Sequence, residues 1–392
     1  MTATDLQMVH WTEENEARSA PWRSEGGMPP PKRVVLADDR MTADAAYRLA
    51  CEGTALLWRG DFQNARQLLQ ALARRIDKKP RKAAAEKPGA PVLAPLERFH
   101  QYRLAQSQRA RTLGMLLLPF EPGHIIPLRR APDVQQACLE AHGPVDTPYV
   151  ASLRELLGII GAHEWRKTGV EVPALGDGAR IHSHYGVFSP VRGEYVDLVA
   201  KAPLPAMLRH KPQDSLAFDI GAGTGVLAAL LARRGVARVV ATDQDPRALV
   251  CARENLARLG LSERVEVVEA DLFPAGRAAL VVCNPPWLPG RPSSPLEHAV
   301  YDPESRMLLG FLNGLAAHLL PGGEGWLILS DFAEHLGLRT RDELLGAFTA
   351  AGLRVIERLD TRPQHPRAAD ASDPLHAARA AEVTSLWRLA VQ

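Results

Sequence analysis

The chain has 392 residues, of which 46% are hydrophobic and 23% charged, and its formal net charge is +2. This composition is ordinary for a globular protein, and the length predicts two or three domains. A net charge so close to zero argues against a protein that binds nucleic acid over most of its surface.

The four cysteines, Cys51, Cys138, Cys251 and Cys283, are isolated in the sequence. Because they show no paired spacing, they argue against a disulfide framework or a zinc site and fit a reducing compartment. No apolar run approaches the ~18 residues of a membrane helix, and residues 1–20 contain no apolar signal-peptide core. We therefore expect a cytoplasmic protein that makes no membrane contact.

The N-terminal part predicts a tail and a helical domain. Residues 1–41 are polar and contain short glycine and proline runs, which predicts a flexible tail. Residues 42–175 predict a mostly helical accessory or substrate-recognition domain. Its expected helices begin near Thr42, Asp61, Glu97 and Thr147. A stretch rich in Lys, Ala and Pro at 77–95 predicts a linker within this domain.

Charge is unevenly distributed in the N-terminal part. Residues 54–131 contain fifteen Lys and Arg but only five Asp and Glu. One interpretation is a surface for RNA, the ribosome or an acidic protein. The other is a solvated helix face followed by a basic linker, and the sequence leaves both interpretations open.

A stretch rich in Gly, His, Ser and aromatic residues, 176–196, opens the last domain. His182 and His184 are two residues apart, as a pair of metal ligands could be. No third ligand follows at a suitable spacing, so we predict a structural or substrate-facing loop and no metal site. A helix expected at 194–202 follows this loop.

Residues 176–392 predict an α/β domain in which strands alternate with helices. The strands expected to be joined by helices are 216–220, 237–242, 264–269, 278–283 and 324–330. Two later strands, at 353–359 and 382–391, have no helical crossover between them and should pair antiparallel. The pattern predicts a mostly parallel sheet with one reversed edge strand.

The first strand of this domain runs into three glycines, Gly221, Gly223 and Gly225, and a helix begins at Val226. Glycine accepts positive φ and lets a ligand lie against the backbone, while the helix start offers unpaired N–H groups. Such a loop holds a nucleotide-like cofactor at the carboxyl ends of parallel strands. A nicotinamide-binding loop would carry glycine where Val226 stands, which disfavours an NAD-dependent oxidoreductase.

Acidic residues at strand ends are candidates for holding the same cofactor. Asp219 enters the glycine loop and could hold a ligand ammonium. Asp243 ends the next strand, where a carboxylate can accept hydrogen bonds from both ribose hydroxyls, and Asp245 is expected to cap the following helix. Asp271 could accept a hydrogen bond from an adenine amino group, with the backbone N–H of Leu272 facing the ring.

A corner made of Asn284, Pro285, Pro286 and Trp287 follows the fourth strand. Consecutive prolines fix φ and forbid a helix, so the backbone turns rigidly away from the strand end. The side-chain oxygen of Asn284 and the carbonyl of Pro285 could accept both hydrogens of a planar –NH2 group, and Trp287 could stack on it. This arrangement would aim the nitrogen lone pair at an electrophile without a strong base.

Together these motifs resemble the class I S-adenosylmethionine-dependent methyltransferases, specifically the amino-methylating group with an Asn/Asp-Pro-Pro-aromatic corner. The resemblance covers residues 185–392. It implies S-adenosyl-L-methionine as the cofactor and a Rossmann-like, seven-stranded, mostly parallel sheet with an antiparallel last strand. It also implies that the segment 185–190, which contains Phe188, covers the methionine end of the cofactor.

Two branches of this group fit the sequence. The protein-glutamine methyltransferases that act on release factors have an N-terminal helical domain and an acid-proline segment after the corner, which residues 301–310 resemble. In this chain Trp287 stands where they carry tyrosine, and the N-terminal part is longer than theirs. The other branch methylates exocyclic amines of adenine or guanine in RNA, and the basic stretch 54–131 suits it.

The sequence therefore favours a methyltransferase that acts on a glutamine side chain of a translation-related protein, with RNA as the alternative acceptor. A hypothesis of another class is an RNA- or ribosome-binding protein whose nucleotide fold has lost activity. Such a protein would bind RNA with steep salt dependence and would not bind the cofactor.

Overall fold

The computed structural model describes residues 7–78, 93–210, 215–292, 295–363 and 370–392. The chain divides into two compact units, Met1–Glu164 and Trp165–Gln392. Most of the linker predicted at 77–95 lies outside the described residues. Every helix that the structure describes is too short or too polar to span a lipid bilayer.

The first unit is an α/β domain rather than a mostly helical one. Its strands and helices, in chain order, are β1 Met8–Glu13, β2 Glu16–Arg23, β3 Arg33–Ala37, α1 Ala43–Cys51, β4 Thr54–Trp58, α2 Phe62–Lys78, α3 Pro95–Gly114, β5 Leu116–Phe120, α4 Gln135–His142, β6 Tyr149–Ser152 and α5 Leu153–Thr168. Within the described residues the strands form one six-stranded sheet in the order β1-β2-β6-β5-β4-β3.

The flexible tail predicted for residues 1–41 is wrong over its described part, which forms β1, β2 and β3. β1 and β2 make an antiparallel hairpin whose two turn residues, Glu14 and Asn15, both have positive φ. The strands escape sequence analysis because about half of their side chains are exposed, and their buried apolar residues are Val9, Ala20 and Ala37. Their apolar alternation is therefore weak.

The helical prediction for residues 42–175 fails where short apolar runs form strands. β4 is buried along its whole length, and such a run cannot be distinguished from a buried helix by periodicity. The helix expected from Thr147 begins only at Leu153, because Tyr149–Ser152 pairs antiparallel with β5. The predictions for α2 and its cap are confirmed, since the Asp61 carboxylate accepts the backbone N–H of Gln63.

The second unit contains the predicted α/β domain. Its elements, in chain order, are β7 Val170–Glu171, β8 Arg180–Ile181, α6 Glu194–Lys201, α7 Ala206–His210, β9 Leu216–Ile220, α8 Val226–Arg233, β10 Arg238–Asp243, α9 Pro246–Arg258, β11 Val265–Glu269, β12 Ala278–Cys283, β13 Leu288–Pro289, β14 Tyr301–Asp302, α10 Arg306–His318, β15 Leu319–Ser330, α11 Phe332–His335, α12 Arg341–Ala350, β16 Leu353–Thr361, α13 His376–Ala381 and β17 Thr384–Val391. The sequence predicted the unit boundary at 175–176, whereas the division falls inside α5. β7 already pairs with β8 in the second unit.

The large sheet of the second unit confirms the predicted fold class. Among the described residues it has seven strands in the order β11-β10-β9-β12-β15-β17-β16. The first five strands of this order run parallel, and β17 is antiparallel to both of its neighbours. The reversed strand was expected at the edge, but β16 takes that place. The connection from β15 through α12 places β16 two positions away from β15 in the sheet. β17 lies between these two strands and runs antiparallel to both.

Candidate active site

The glycine loop and the proline corner lie at the same edge of the large sheet. β9 and β12 are parallel neighbours, and their last residues, Ile220 and Cys283, are partners in register. β10 flanks β9 on its other side, where Thr242 is the partner of Ile220. Because the three strands end level with one another, Gly221 and Asn284 leave the sheet side by side.

The glycine loop has the conformation that the sequence predicted. Gly221, Gly223 and Gly225 have φ values of 73°, 54° and 78°, which L side chains rarely adopt. The backbone N–H groups of Gly221 and Ala222 both donate to the carbonyl oxygen of Thr242, at 2.9 and 2.8 Å. This pair of bonds holds the start of the loop against β10.

The first and central glycines of the loop differ in what surrounds them. A Cβ atom on Gly221 would lie 2.4 Å from the terminal methyl group of Met307 on α10, so the end of that side chain would have to move. A Cβ atom on Gly223 would meet no atom within 4 Å among the described residues. The middle of the loop therefore presents bare backbone to open space.

Asp219 is buried, with 1% of its surface exposed, and it holds the helix that follows the loop. Its Oδ2 atom accepts the backbone N–H of Ala228 in the first turn of α8, at 2.9 Å. Burial and, to a smaller extent, the nearby charge of Asp243 raise the pKa of the Asp219 carboxyl to about 7, although the hydrogen bond from Ala228 lowers it. One carboxylate oxygen thus serves the fold, and the predicted contact with a ligand ammonium stays a prediction.

Asp243 connects the end of β10 with the middle of the glycine loop. Its Oδ2 atom accepts the backbone N–H of Gly223 at 2.9 Å, and its Oδ1 atom accepts that of Asp245 at 3.0 Å. Burial raises the pKa of the Asp243 carboxyl, while these amide bonds lower it. The expected cap is confirmed, because the Asp245 carboxylate accepts the N–H of Arg247 at the start of α9.

The predicted adenine residues follow β11. Leu272 has a φ of 71°, an unusual value for a branched residue, and its carbonyl oxygen accepts the hydroxyl of Thr242 at 2.5 Å. Leu272 is thereby tied to the same strand end as the glycine loop. Asp271 is exposed, and its carboxylate contacts the guanidinium of Arg306 at 2.6 Å. This ion pair was not predicted from the sequence.

The proline corner contains an internal hydrogen bond that the sequence did not predict. The indole Nε1–H of Trp287 donates to Oδ1 of Asn284 at 2.9 Å. Because an indole nitrogen can only donate, the atom that it contacts must be the amide oxygen, which fixes the orientation of the Asn284 amide. Pro285 is buried, whereas Pro286 and Trp287 are half-buried.

The start of the segment 301–310 lies beside the residues that follow the corner. β13 continues directly from the corner and pairs in parallel with β14, with Leu288 opposite Tyr301. The carboxylate of Asp302, which ends β14, accepts the backbone N–H groups of Met307 and Leu308, both at 3.0 Å. Asp302 therefore fixes the start of α10, the helix that closes against Gly221.

The segment 181–190 packs on α9, the helix that starts after Asp243. Val187 contacts Ala248 and Cys251 of that helix, and the adjacent Phe188 is half-buried. Asn255, which is 1% exposed, joins this segment to the glycine loop. Its Oδ1 atom accepts the N–H of His182, and its Nδ2 atom donates to the carbonyls of His182 and Thr224. A polar residue on the apolar stripe of α9 was the sequence signal for this role.

The two histidines of that segment have structural partners. His182 Nδ1 lies 2.6 Å from the carbonyl oxygen of Arg166, and His184 Nε2 lies 3.0 Å from a carboxylate oxygen of Glu254. In the part of the chain that the structure describes, no three His, Cys, Asp or Glu side chains are grouped so that they could hold a metal ion.

Comparisons with known proteins match this chain to methyltransferases. Residues 178–348 match a family model described as "Methyltransferase small domain". The release factor glutamine methyltransferase of Cereibacter sphaeroides is 35% identical over 162 residues, which cover 37% of this chain and 56% of that protein. The ribosomal protein L11 methyltransferase of Sorangium cellulosum is 30% identical over 240 residues, which cover 57% of this chain and 68% of that protein.

A solved structure of a methyltransferase from Pyrococcus furiosus is 18% identical, with a TM-score of 0.38, over 59% of this chain and 96% of that one. The chain spans about half the length of the release factor methyltransferases that it matches first. It spans more than two thirds of the Sorangium cellulosum protein. The chain belongs to the class I S-adenosylmethionine-dependent methyltransferases.

Proposed function

We propose that this protein transfers the methyl group of S-adenosylmethionine to the side-chain amide nitrogen of a glutamine in a protein of the translation apparatus. The observation that carries the proposal is the position of Asn284 beside Gly221 at one edge of the sheet. Relatives named for release factor glutamine and for ribosomal protein L11, both protein acceptors, support this class of substrate. Such an acceptor implies a reaction in the cytoplasm.

The residues of the glycine loop fit the proposed cofactor. Open space at Gly223 leaves room for a ligand against the backbone, and the Asp243 carboxylate is bonded to the N–H of that same glycine. A carboxylate here can accept hydrogen bonds from ribose hydroxyls. When bound, S-adenosylmethionine supplies an electrophilic methyl group on a sulfonium, so the protein need not activate the donor.

The residues proposed to bind the acceptor act by holding its amide group in a fixed orientation. The Asn284 oxygen has two lone pairs, of which Trp287 occupies one, and the other can accept an N–H of a planar amide. The carbonyl of Pro285 is the proposed acceptor for the second N–H. The nitrogen lone pair, which is perpendicular to the amide plane, can then form the new N–C bond as the methyl–sulfonium bond breaks, and the proton that the nitrogen gives up passes to solvent. Good orientation of this kind can supply ~7–11 kcal/mol of rate acceleration.

The charges of the first unit bear on the choice between protein and RNA acceptors. Asp61 is buried and pairs with Arg129 at 2.9 Å and Arg130 at 2.6 Å, which lowers the pKa of its carboxyl. Arg109 pairs with Asp77 at 3.0 Å. Arg59 and Arg75 pair with Glu13 and Asp44, two acids outside 54–131, at 2.6 and 2.8 Å. Because these acids neutralise part of the basic excess of 54–131, less of it is free for RNA, and we propose that this unit recognises a protein acceptor.

The decisive experiment identifies the methylated molecule. The purified chain is incubated with methyl-labelled S-adenosylmethionine and, in separate reactions, with a bacterial release factor, ribosomal protein L11 or total RNA. We expect label on a glutamine of the release factor, lost on protease digestion and retained after nuclease digestion. Label that appears only in RNA would replace the proposal with methylation of an exocyclic amine, and RNA binding without any label would favour the non-enzyme hypothesis.

The hydrogen bond within the corner makes a prediction of its own. Replacing Trp287 with phenylalanine keeps an aromatic ring for packing but removes the donor that orients the Asn284 amide. One neutral hydrogen bond contributes ~0.5–1.5 kcal/mol, so kcat should fall about 2- to 13-fold. Cofactor affinity, measured by calorimetry, should be unchanged in this variant. A Trp287→Phe enzyme with the wild-type kcat would show that the bond has no part in catalysis.

A further inference from the structure

An unpaired arginine is buried near the proline corner. Arg339 lies in the loop between α11 and α12, and 9% of its surface is exposed. Its Nε and Nη2 atoms are buried and have no hydrogen-bond partner in the part of the chain that the structure describes. Arginine is almost never buried without a partner, because an uncompensated charge in the interior is costly.

The carboxylates near Arg339 bond to other groups, and none of them bonds to its buried Nε or Nη2 atom. Both oxygens of Glu334 accept from Nε of Arg341, at 3.0 and 2.9 Å. The two oxygens of Asp302 receive the backbone N–H groups that start α10, and Glu343 accepts the backbone N–H of Thr340 at 2.7 Å. These acids attract the Arg339 charge from a distance, yet burial outweighs them and lowers the pKa of the guanidinium.

The loop that carries Arg339 lies at the acceptor side of the candidate site. β15 pairs with β12 so that Leu327 is opposite Cys283, the residue before the corner. The chain leaves β15 after Ser330, at the same edge of the sheet, and α11 then packs against β13. The charge of Asp302 on β14 also acts on Arg339. Arg339 therefore lies close to the pair of short strands that flank the corner.

We propose that Arg339 binds a carboxylate of the acceptor protein, next to the side chain that enters the proline corner. A guanidinium presents a rigid fork of N–H donors that matches the two oxygens of a carboxylate. The surrounding acids Asp302, Glu334 and Glu343 would repel the many phosphates of RNA but tolerate one carboxylate held by direct bonds. The inference rests on the proposed function, since it assumes a protein acceptor.

The first arm of the test measures stability of the full chain. If Arg339 has no partner until the acceptor binds, replacing it with methionine removes an uncompensated buried charge and should raise Tm by roughly 2–4 °C. The matched control is Arg341→Met, which removes the ion-pair partner of Glu334 and should lower Tm. A Tm for Arg339→Met at or below that of the wild type would mean that Arg339 already stabilises the fold, and would overturn the proposal.

The second arm measures steady-state methylation of the acceptor identified by labelling. Loss of a charged hydrogen-bonded pair should raise KM for the acceptor at least 10-fold in Arg339→Met, with little change in kcat. Arg339→Lys keeps the charge and should recover part of the loss, whereas Arg341→Met should leave KM close to the wild-type value. An unchanged KM in Arg339→Met would overturn the proposal even if its Tm rises.

The third arm separates this inference from the proposed function. If the wild-type chain methylates neither the release factor nor ribosomal protein L11, the proposed function fails, and small anions then decide the role of Arg339. Acetate, compared with chloride at equal ionic strength, should raise Tm of the wild type and not of Arg339→Met. The same acetate effect in both proteins, or a selective response to inorganic phosphate alone, would overturn a carboxylate site.

Discussion

The Asn284→Ala variant is expected to lose on the order of 10² in kcat, as enzymes do when one preorganised polar contact at the reacting centre is removed. The side chain leaves the sheet beside Gly221 and is held in one orientation by Trp287, so its oxygen is in place before the acceptor arrives. Single-turnover methylation at saturating cofactor and acceptor measures the loss. Cofactor affinity should hardly change, because the side chain serves the acceptor.

Asn284→Asp is the matched control for this variant. It keeps an oxygen that can accept both from Trp287 and from the acceptor nitrogen, so more activity should remain than in Asn284→Ala. A tenfold loss of cofactor affinity in Asn284→Ala would contradict the assignment of this side chain to the acceptor. Wild-type turnover in Asn284→Ala would contradict it as well.

The parts of the fold that could be predicted from the sequence are those whose signals are local. The strand at Leu216–Ile220 is found at its predicted bounds, because an apolar run, a glycine loop and an apolar helix follow one another without interruption. β1 and β2 could not be predicted, since exposed strands carry little apolar alternation and are defined by pairing with each other. The position of β17 depends on which gap a crossover leaves, which no local pattern encodes.

The features of the candidate site also divide into those that local sequence predicts and those that depend on the three-dimensional fold. The positive φ values of the loop glycines and the cap at Asp245 follow from residue type and spacing, and the structure confirms them. Asn255 and Arg339 are single polar residues whose importance depends on what surrounds them in three dimensions. The Trp287–Asn284 bond lies between these cases, because the spacing permits it but only the turn geometry of the corner brings the two atoms to 2.9 Å.

Asp243 illustrates how the fold and the proposed cofactor site share one side chain. Its two carboxylate oxygens accept the N–H groups of Gly223 and Asp245, which fixes the carboxylate at the end of β10 before any ligand is present. Each oxygen keeps a further lone pair for a hydroxyl group. Burial raises the pKa of this carboxyl. Its charge thus costs free energy in the protein interior, and donors from a ligand would offset that cost.

Replacing Asp243 with alanine should therefore weaken cofactor binding while leaving turnover at saturating cofactor less affected. Hydrogen bonds to a charged acceptor contribute roughly 1.5–3 kcal/mol, which corresponds to about 10- to 150-fold in the dissociation constant measured by calorimetry. The control is Asp245→Ala, which removes the cap of α9 and should cost about 0.5–2 kcal/mol of stability without a comparable loss of affinity. Unchanged binding in Asp243→Ala would remove this residue from the site, and equal losses in both variants would show that the order of the loop, rather than the carboxylate, governs affinity.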